Sequence, residues 1–314
     1  MASVSLSAET RADGSFVRQQ YSIRDRITAD GSSGFRAEPG RYHLYVSLAC
    51  PWAHRSIIVR RLLGLEDVIS MSVVDPIRDE RGWAFGEGPG YGPDPVNGFQ
   101  FLSEAYLRTR PDYTGRYTVP CVWDRKTARL VTNNFPDITI DFETQFTAYQ
   151  RPDAPDLYPE HLRDEIDAVN ELVYRDVNNG VYRAGFATSQ EAYEAAVTAL
   201  FGRLDWLEER LATRRYLVGG QLTEADIRLF PTLVRFDAVY VGHFKCNLRR
   251  LVDYPNLWGY ARDLYQRPGF GDTVNFDHIK RHYYMTHPQI NPTRIVPLGP
   301  IVDWTTPHNR DRLT

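Results

Sequence analysis

Only three cysteines, Cys50, Cys121 and Cys246, occur in 314 residues. Their number is odd and none falls in a Cys-x-x-Cys spacing, which argues against a disulfide framework and against a structural zinc site. Lysine is as scarce: Lys126, Lys245 and Lys280 are the whole set, and arginine carries nearly all the positive charge. That bias fits a GC-rich coding sequence and makes no structural statement. The net charge is −3 and no long basic block occurs, so nucleic acid is not an expected partner. No run of eighteen apolar residues is present, so no membrane span is expected. Residues 1–20 are polar and lack the apolar core of a secretory signal, which makes the cytoplasm the expected location.

What is present divides along the chain. A length of 314 residues suits about two domains of roughly 150 residues. Residues 1–40 are polar and rich in Gly and Ser, and read as an N-terminal arm. Residues 41–152 begin with an extended segment, Tyr42–Val46, then a helical pattern closed by Gly64, then a second strand over Val68–Val74. A unit of this length implies parallel pairing through a right-handed crossover. Residues 75–115 form a long Gly- and Pro-rich loop with Trp83 near its start; such a loop inside a domain is usually functional. A strand over Thr118–Asp124 and a hairpin into Arg129–Thr132 follow. Asn134 is the expected N-cap of the next helix. Arg151–Asp156 reads as a linker. From 157 to 270 the apolar period is 3.6, with capping boxes at Thr188-x-x-Glu191 and Thr223-x-x-Asp226 and a helix start at Pro255. Residues 271–314 form a tail rich in His, Tyr and Pro, expected to pack near the active site.

Cys50 stands between the first strand and the first helix, with Pro51 suited to the first helical position. A cysteine there faces unpaired backbone N–H groups and the positive end of the helix dipole, and both favour the nucleophilic thiolate. A buried, inert structural cysteine is the competing reading. The arrangement is a thioredoxin-like active site in which Ala53 stands where a second cysteine would be, so the chemistry needs an external thiol. Val119-Pro120 occupies the place where thioredoxin-like folds carry a cis peptide, which would turn the Val119 backbone toward that thiol. His278 and His282, four apart, fall on one helix face, but with no third ligand at a recognisable spacing no metal site is expected.

A thioredoxin-like domain followed by an all-α domain, α/β plus all-α, is the glutathione transferase architecture. The strings Cys50–Arg55, Gly64–Ile69, Gly82-Trp83, Asn178–Tyr182, Gly242–Asn247 and Asn275–Tyr284 resemble the glutathionyl-hydroquinone reductases, or Xi-class glutathione transferases, over about residues 17–310. The resemblance implies that Cys50 attacks the sulfur of a glutathionyl-hydroquinone, releases the hydroquinone and forms a mixed disulfide that a second thiol resolves. It implies catalytic and quinol-binding roles for Tyr182 and Tyr283, with Tyr284 beside them, and a role for Trp83 against the thiol. Val119 and Arg116 are further expected thiol contacts. No permanently bound cofactor is implied, only a thiol co-substrate and an aromatic quinol conjugate. A homodimer is implied as well.

One stretch departs from the family. The usual Asn-Glu-Ser, whose Glu and Ser hold the γ-glutamyl end of glutathione, reads Asn133-Asn134-Phe135 here. Each lost charge-assisted contact typically weakens binding by about 1.5–3 kcal/mol, and two together by about a few hundredfold. A different thiol, mycothiol first among candidates, is therefore weighed beside glutathione; it has no γ-glutamyl zwitterion, and actinobacteria with GC-rich genomes make it. The competing functions are a general, omega-like thiol transferase or mixed-disulfide reductase, and a degenerate non-catalytic binding protein.

Overall fold

Tyr42–Val46 is apolar except for His43, and forms β1, buried along its whole length. The structure, a computed structural model, describes residues 9–313; residues 1–8 of the expected arm and Thr314 lie outside the described residues. Burial of β1 follows from its interior place in a four-stranded sheet of order β2-β1-β3-β4. Helix α1 (Pro51–Leu62) carries the chain to β2 (Ser70–Val73), which pairs parallel to β1 with His43 opposite Ser70. Gly64, just past the end of α1, turns the chain at φ +68, a conformation that a Cβ disfavours. After α2 (Leu102–Thr109), β3 (Cys121–Asp124) runs antiparallel to β1 with Cys121 opposite Tyr45, and β4 (Arg129–Thr132) runs antiparallel to β3. Helix α3 (Phe135–Thr144) packs on α1, and α2 packs on β4.

Two strands are shorter than their apolar runs. The N–H groups of Val68 and Ile69 both turn back to the Leu65 carbonyl, so the β2 ladder starts at Ser70. Pro120 has no N–H to offer, and β3 starts after it. Within the sheet, His43 is fully buried with its ring nitrogens 2.7 and 2.8 Å from the Ser70 and Ser72 hydroxyls. Arg41 closes the start of β1 onto the end of β3 through two 2.8 Å hydrogen bonds to the Asp124 carboxylate.

The rest is helical: α4 (Arg163–Val173), α5 (Gly180–Gly185), α6 (Gln190–Leu211), α7 (Glu224–Arg235), α8 (Pro255–Tyr265) and α9 (Phe276–Thr286). Single π-helical turns, Tyr174–Asn178 and Phe236–Tyr240, follow α4 and α7. The first capping box falls one residue later than its sequence pattern suggests. Ser189, not Thr188, caps α6 by accepting the Ala192 N–H at 3.2 Å, while the Thr188 N–H goes to the Gly14 carbonyl. The second box forms as expected: Asp226 accepts the Thr223 N–H at 2.9 Å and its hydroxyl at 3.2 Å, and also receives Leu217 N–H and Tyr260 O–H.

By packing, residues 19–155 and Asp277–Thr286 form one compact unit. Residues 9–18, Asp156–Phe276 and 287–313 form the other. The arm expected over 1–40 thus divides between them, and α9 of the expected tail belongs to the sheet unit. Among the described residues no helix is long and apolar enough to cross a membrane.

Candidate active site

The sheet topology brings four chain segments to one edge: the ends of β1, β2 and β4 and the start of β3. Cys50 follows β1 there. Its backbone is extended (φ −78, ψ 120) at the N-cap of α1, and Pro51 begins the helix. The first turn of α1 holds no acidic side chain to compete for its positive end. Cys50 is 9 % exposed, and its thiol donates to the Val119 carbonyl at 3.4 Å. The Val119-Pro120 bond is cis. The Val119 carbonyl, expected to face a bound thiol, thus faces the Cys50 thiol itself. Cys121 and Cys246 are fully buried, and burial pushes both thiols far above the ordinary range. Cys50 is therefore the one cysteine of the three with access to a ligand.

Beyond β2 the Asp75 N–H donates to the Ala84 carbonyl and the Leu102 N–H to the Trp83 carbonyl, both at 2.9 Å. These bonds fix Trp83 beside the end of β2. Its buried indole stacks on the His282 ring, with centroids 5.0 Å apart and planes 20° from parallel. The Arg78 guanidinium lies 5.5 Å from the indole centroid.

At the end of β4, Asn133 bridges two segments, accepting the Ile23 N–H at 3.3 Å and donating to the Thr118 hydroxyl at 3.2 Å. Asn134 is the N-cap of α3 by position, but its amide donates to the Asp137 carboxylate instead of capping the helix. Phe135 is 3 % exposed and stacks on Trp52 at 4.6 Å, with the Arg55 guanidinium 4.9 and 5.1 Å from the two ring centroids. Its ring packs between α1 and α3. Arg116 lies in the half-buried loop before β3, where its carbonyl accepts the Tyr113 hydroxyl at 3.0 Å.

The tyrosines divide between the units. Tyr283 on α9 is 1 % exposed and meets the His282 ring edge-on at 5.4 Å, while Tyr284 is half-buried. Tyr182 on α5 belongs to the helical unit, among Phe186, Tyr240 and Phe244. The Arg18 guanidinium sits 4.7 Å from its ring centroid, held there by a 3.0 Å bond to Asn179.

Two family models cover much of this geometry. The N-terminal domain of glutathione S-transferases matches residues 49–145, and the C-terminal domain matches residues 190–263. The glutathionyl-hydroquinone reductase YqjG of Escherichia coli K12 is 52 % identical over 95 % of this chain and 93 % of its own length. PcpF of Sphingobium chlorophenolicum, also a glutathionyl-hydroquinone reductase, is 51 % identical over 91 % of this chain and 90 % of its own. The chain belongs to the glutathionyl-hydroquinone reductases, the Xi class of glutathione transferases. A solved glutathione transferase from Gordonia bronchialis, 58 % identical, superposes with a TM-score of 0.90 over 93 % of this chain and 91 % of that one. Glutathione-bound YqjG, 51 % identical, also gives 0.90, over 96 % and 98 %.

For this member of the Xi class, sequence reasoning named Cys50 and Val119 from their place in a strand–helix unit, and Trp83 from the family resemblance. It missed the partners that hold candidates in place: Arg18 over Tyr182, Arg78 and His282 at Trp83, and Trp52 with Arg55 around Phe135. The one local sign of any of these was the spacing of His278 and His282. Their rings point nitrogens at the Pro89 and Pro76 carbonyls, 2.6 and 2.7 Å away.

Proposed function

We propose that this enzyme reduces S-conjugated hydroquinones with a low-molecular-weight thiol, using Cys50 as nucleophile. The observation that carries the reading is the Cys50 thiol at the N-terminus of α1, at a sheet edge shared with Val119 and Trp83, in a chain of the reductase family. The Cys50 thiolate attacks the conjugate's sulfur. The carbon–sulfur bond breaks, its electron pair stays on the ring carbon, and a proton completes a C–H bond there. The hydroquinone leaves, and Cys50 is left disulfide-bonded to the thiol. A second thiol attacks that disulfide, restores the Cys50 thiolate and departs as the oxidised disulfide. Free aryl carbanion is a poor leaving group, so protonation must accompany cleavage. Tyrosine hydroxyls at the phenolic oxygens would promote it through a keto tautomer, and Tyr182, Tyr283 and Tyr284 are the residues assigned to that work.

Glutathione is the co-substrate that the relatives support, since YqjG and PcpF are named for it and YqjG binds it. The residues at the end of β4 support a second thiol. Asn134 engages Asp137, and Phe135 supplies packing where the family has a hydroxyl. Neither offers a γ-glutamyl ammonium and carboxylate what Glu and Ser would. A thiol without that zwitterion, as mycothiol is, fits these side chains better. The assembly we infer from the family is a homodimer.

Steady-state cleavage of glutathionyl- and mycothiolyl-menadiol, each with its own free thiol, tests both parts. Turnover lost in the Cys50→Ser variant is the expected result. Turnover that persists in that variant overturns the mechanism. Saturation by glutathione at sub-millimolar concentration overturns the preference for mycothiol and leaves the reductase reading intact. Cleavage of mixed disulfides without cleavage of either thioether favours the general thiol transferase.

A further inference from the structure

The segment between β2 and α2 has little ladder to hold it, yet it carries Trp83. Six glycines and four prolines lie between Asp75 and Phe101. Part of its order is local: the Tyr91 ring lies over Gly88, where a Cβ would come within 2.3 Å of it. Backbone bonds such as Phe85 N–H to the Gln100 carbonyl, and the Asp94 carboxylate that accepts the Tyr45 hydroxyl, add to it, and α9 supplies a further hold. His278 and His282 are one turn apart on that helix. The His278 Nε2 is 2.6 Å from the Pro89 carbonyl and the His282 Nδ1 is 2.7 Å from the Pro76 carbonyl. A carbonyl only accepts, so each of these nitrogens carries its proton and donates. The two prolines flank Trp83 in the chain. His282 also lays its ring flat on the indole, so one side chain sets both the backbone before Trp83 and the plane of Trp83 itself.

We propose that His282 is the positioning residue for Trp83: it holds the indole in the orientation in which a thiol packs against it, and it ties the loop that carries Trp83 to the helix that carries Tyr283 and Tyr284. Histidine suits this place because it joins a flat face to a directed N–H. Phenylalanine would keep the face and lose the N–H; asparagine would keep a donor and lose the face. The thiol-binding role of Trp83 rests on the function proposed above, whereas the clamp itself rests on the contacts within the sheet unit.

The test uses His282→Phe, His282→Asn, Trp83→Phe and the His282→Asn/Trp83→Phe double variant of the full chain, with thermal melting to check that each folds. The first readout is acrylamide quenching of tryptophan fluorescence, with the Trp83 contribution taken as the difference from the matching Trp83→Phe protein. Trp83 should become accessible to quencher in His282→Asn and less so in His282→Phe. The second readout is kinetic, with glutathione as the thiol. The KM for glutathione should rise about fivefold in His282→Asn with kcat within about twofold, and the substitution should add nothing in the Trp83→Phe background. An unchanged Trp83 quenching profile in a folded His282→Asn variant overturns the clamp, whether or not the enzyme turns over. A KM increase that is undiminished without the indole overturns the claim that His282 acts through Trp83. An absent wild-type turnover with both glutathione and mycothiol overturns the functional reading alone, since quenching still decides the clamp.

Discussion

Cys50 differs from Cys121 and Cys246 in one physical respect: its neighbours are helix N–H groups and a reachable edge instead of a closed core. Replacing it by serine should lower conjugate cleavage by about a thousandfold or more, because an unactivated hydroxyl is a far weaker nucleophile than a thiolate. Cys246→Ala, assayed in parallel, should leave the rate unchanged. The Asn134 position tests thiol choice, at the cost of its amide's bond to Asp137. Asn134→Glu supplies the carboxylate that the family resemblance implies, and should lower the KM for glutathione about tenfold. Phe135→Ser should not be so clean. Its ring is packed against Trp52 and Arg55, and deletion should destabilise the protein by about 3 kcal/mol, seen as a lower melting temperature. At this scale the sequence disclosed positions better than directions. The place of Cys50 at a helix start was legible from the local chain, and the cis Val119-Pro120 bond from its place in a thioredoxin-like unit. The inward turn of Phe135 and the stacking of His282 on Trp83 were not, because each depends on a partner far away in the chain.

Elements were legible where a cap or a breaker marks them. Pro51, Gly64 and Pro255 each stand where the chain changes course, and the Thr223-x-x-Asp226 box forms as its spacing requires. Where two residues could cap, spacing alone could not choose. Thr188 and Ser189 both qualify, and the choice fell to Gly14, whose carbonyl takes the Thr188 N–H. Asp226 shows how far one cap reaches, since its carboxylate also gathers Leu217 of the preceding loop and Tyr260 of α8. Asp226→Ala leaves several buried donors without an acceptor and should destabilise the helical unit by about 3–5 kcal/mol, measured by denaturant melting. Asp226→Asn keeps an acceptor and should lose less.

Over the whole molecule, the change of apolar period after residue 156 disclosed a sheet unit followed by a helical one. The placement of residues 9–18 with the helices and of α9 with the sheet was not legible, because long-range packing decides it. Both units carry a buried histidine. Burial lowers His43 and His243 alike from 6.5 to about 4. In the unfolded chain each takes up a proton near pH 6.5, whereas in the folded chain each resists until about pH 4. Stability is therefore complete above the unfolded pKa and falls as pH drops through this window. By pH 5 the loss should reach about 2 kcal/mol for each histidine, read as a melting temperature that declines steadily from pH 7 to pH 4.5. The reaction proposed for the molecule rests on a thiol adduct of one cysteine. Mixing the enzyme with one equivalent of a glutathionyl-hydroquinone, without free thiol, and mapping the product by peptide mass spectrometry tests it most directly. Released hydroquinone matched by one glutathionyl group on the Cys50 peptide is the expected result. Hydroquinone released with Cys50 unmodified, or an adduct on Cys121 or Cys246 instead, would contradict it.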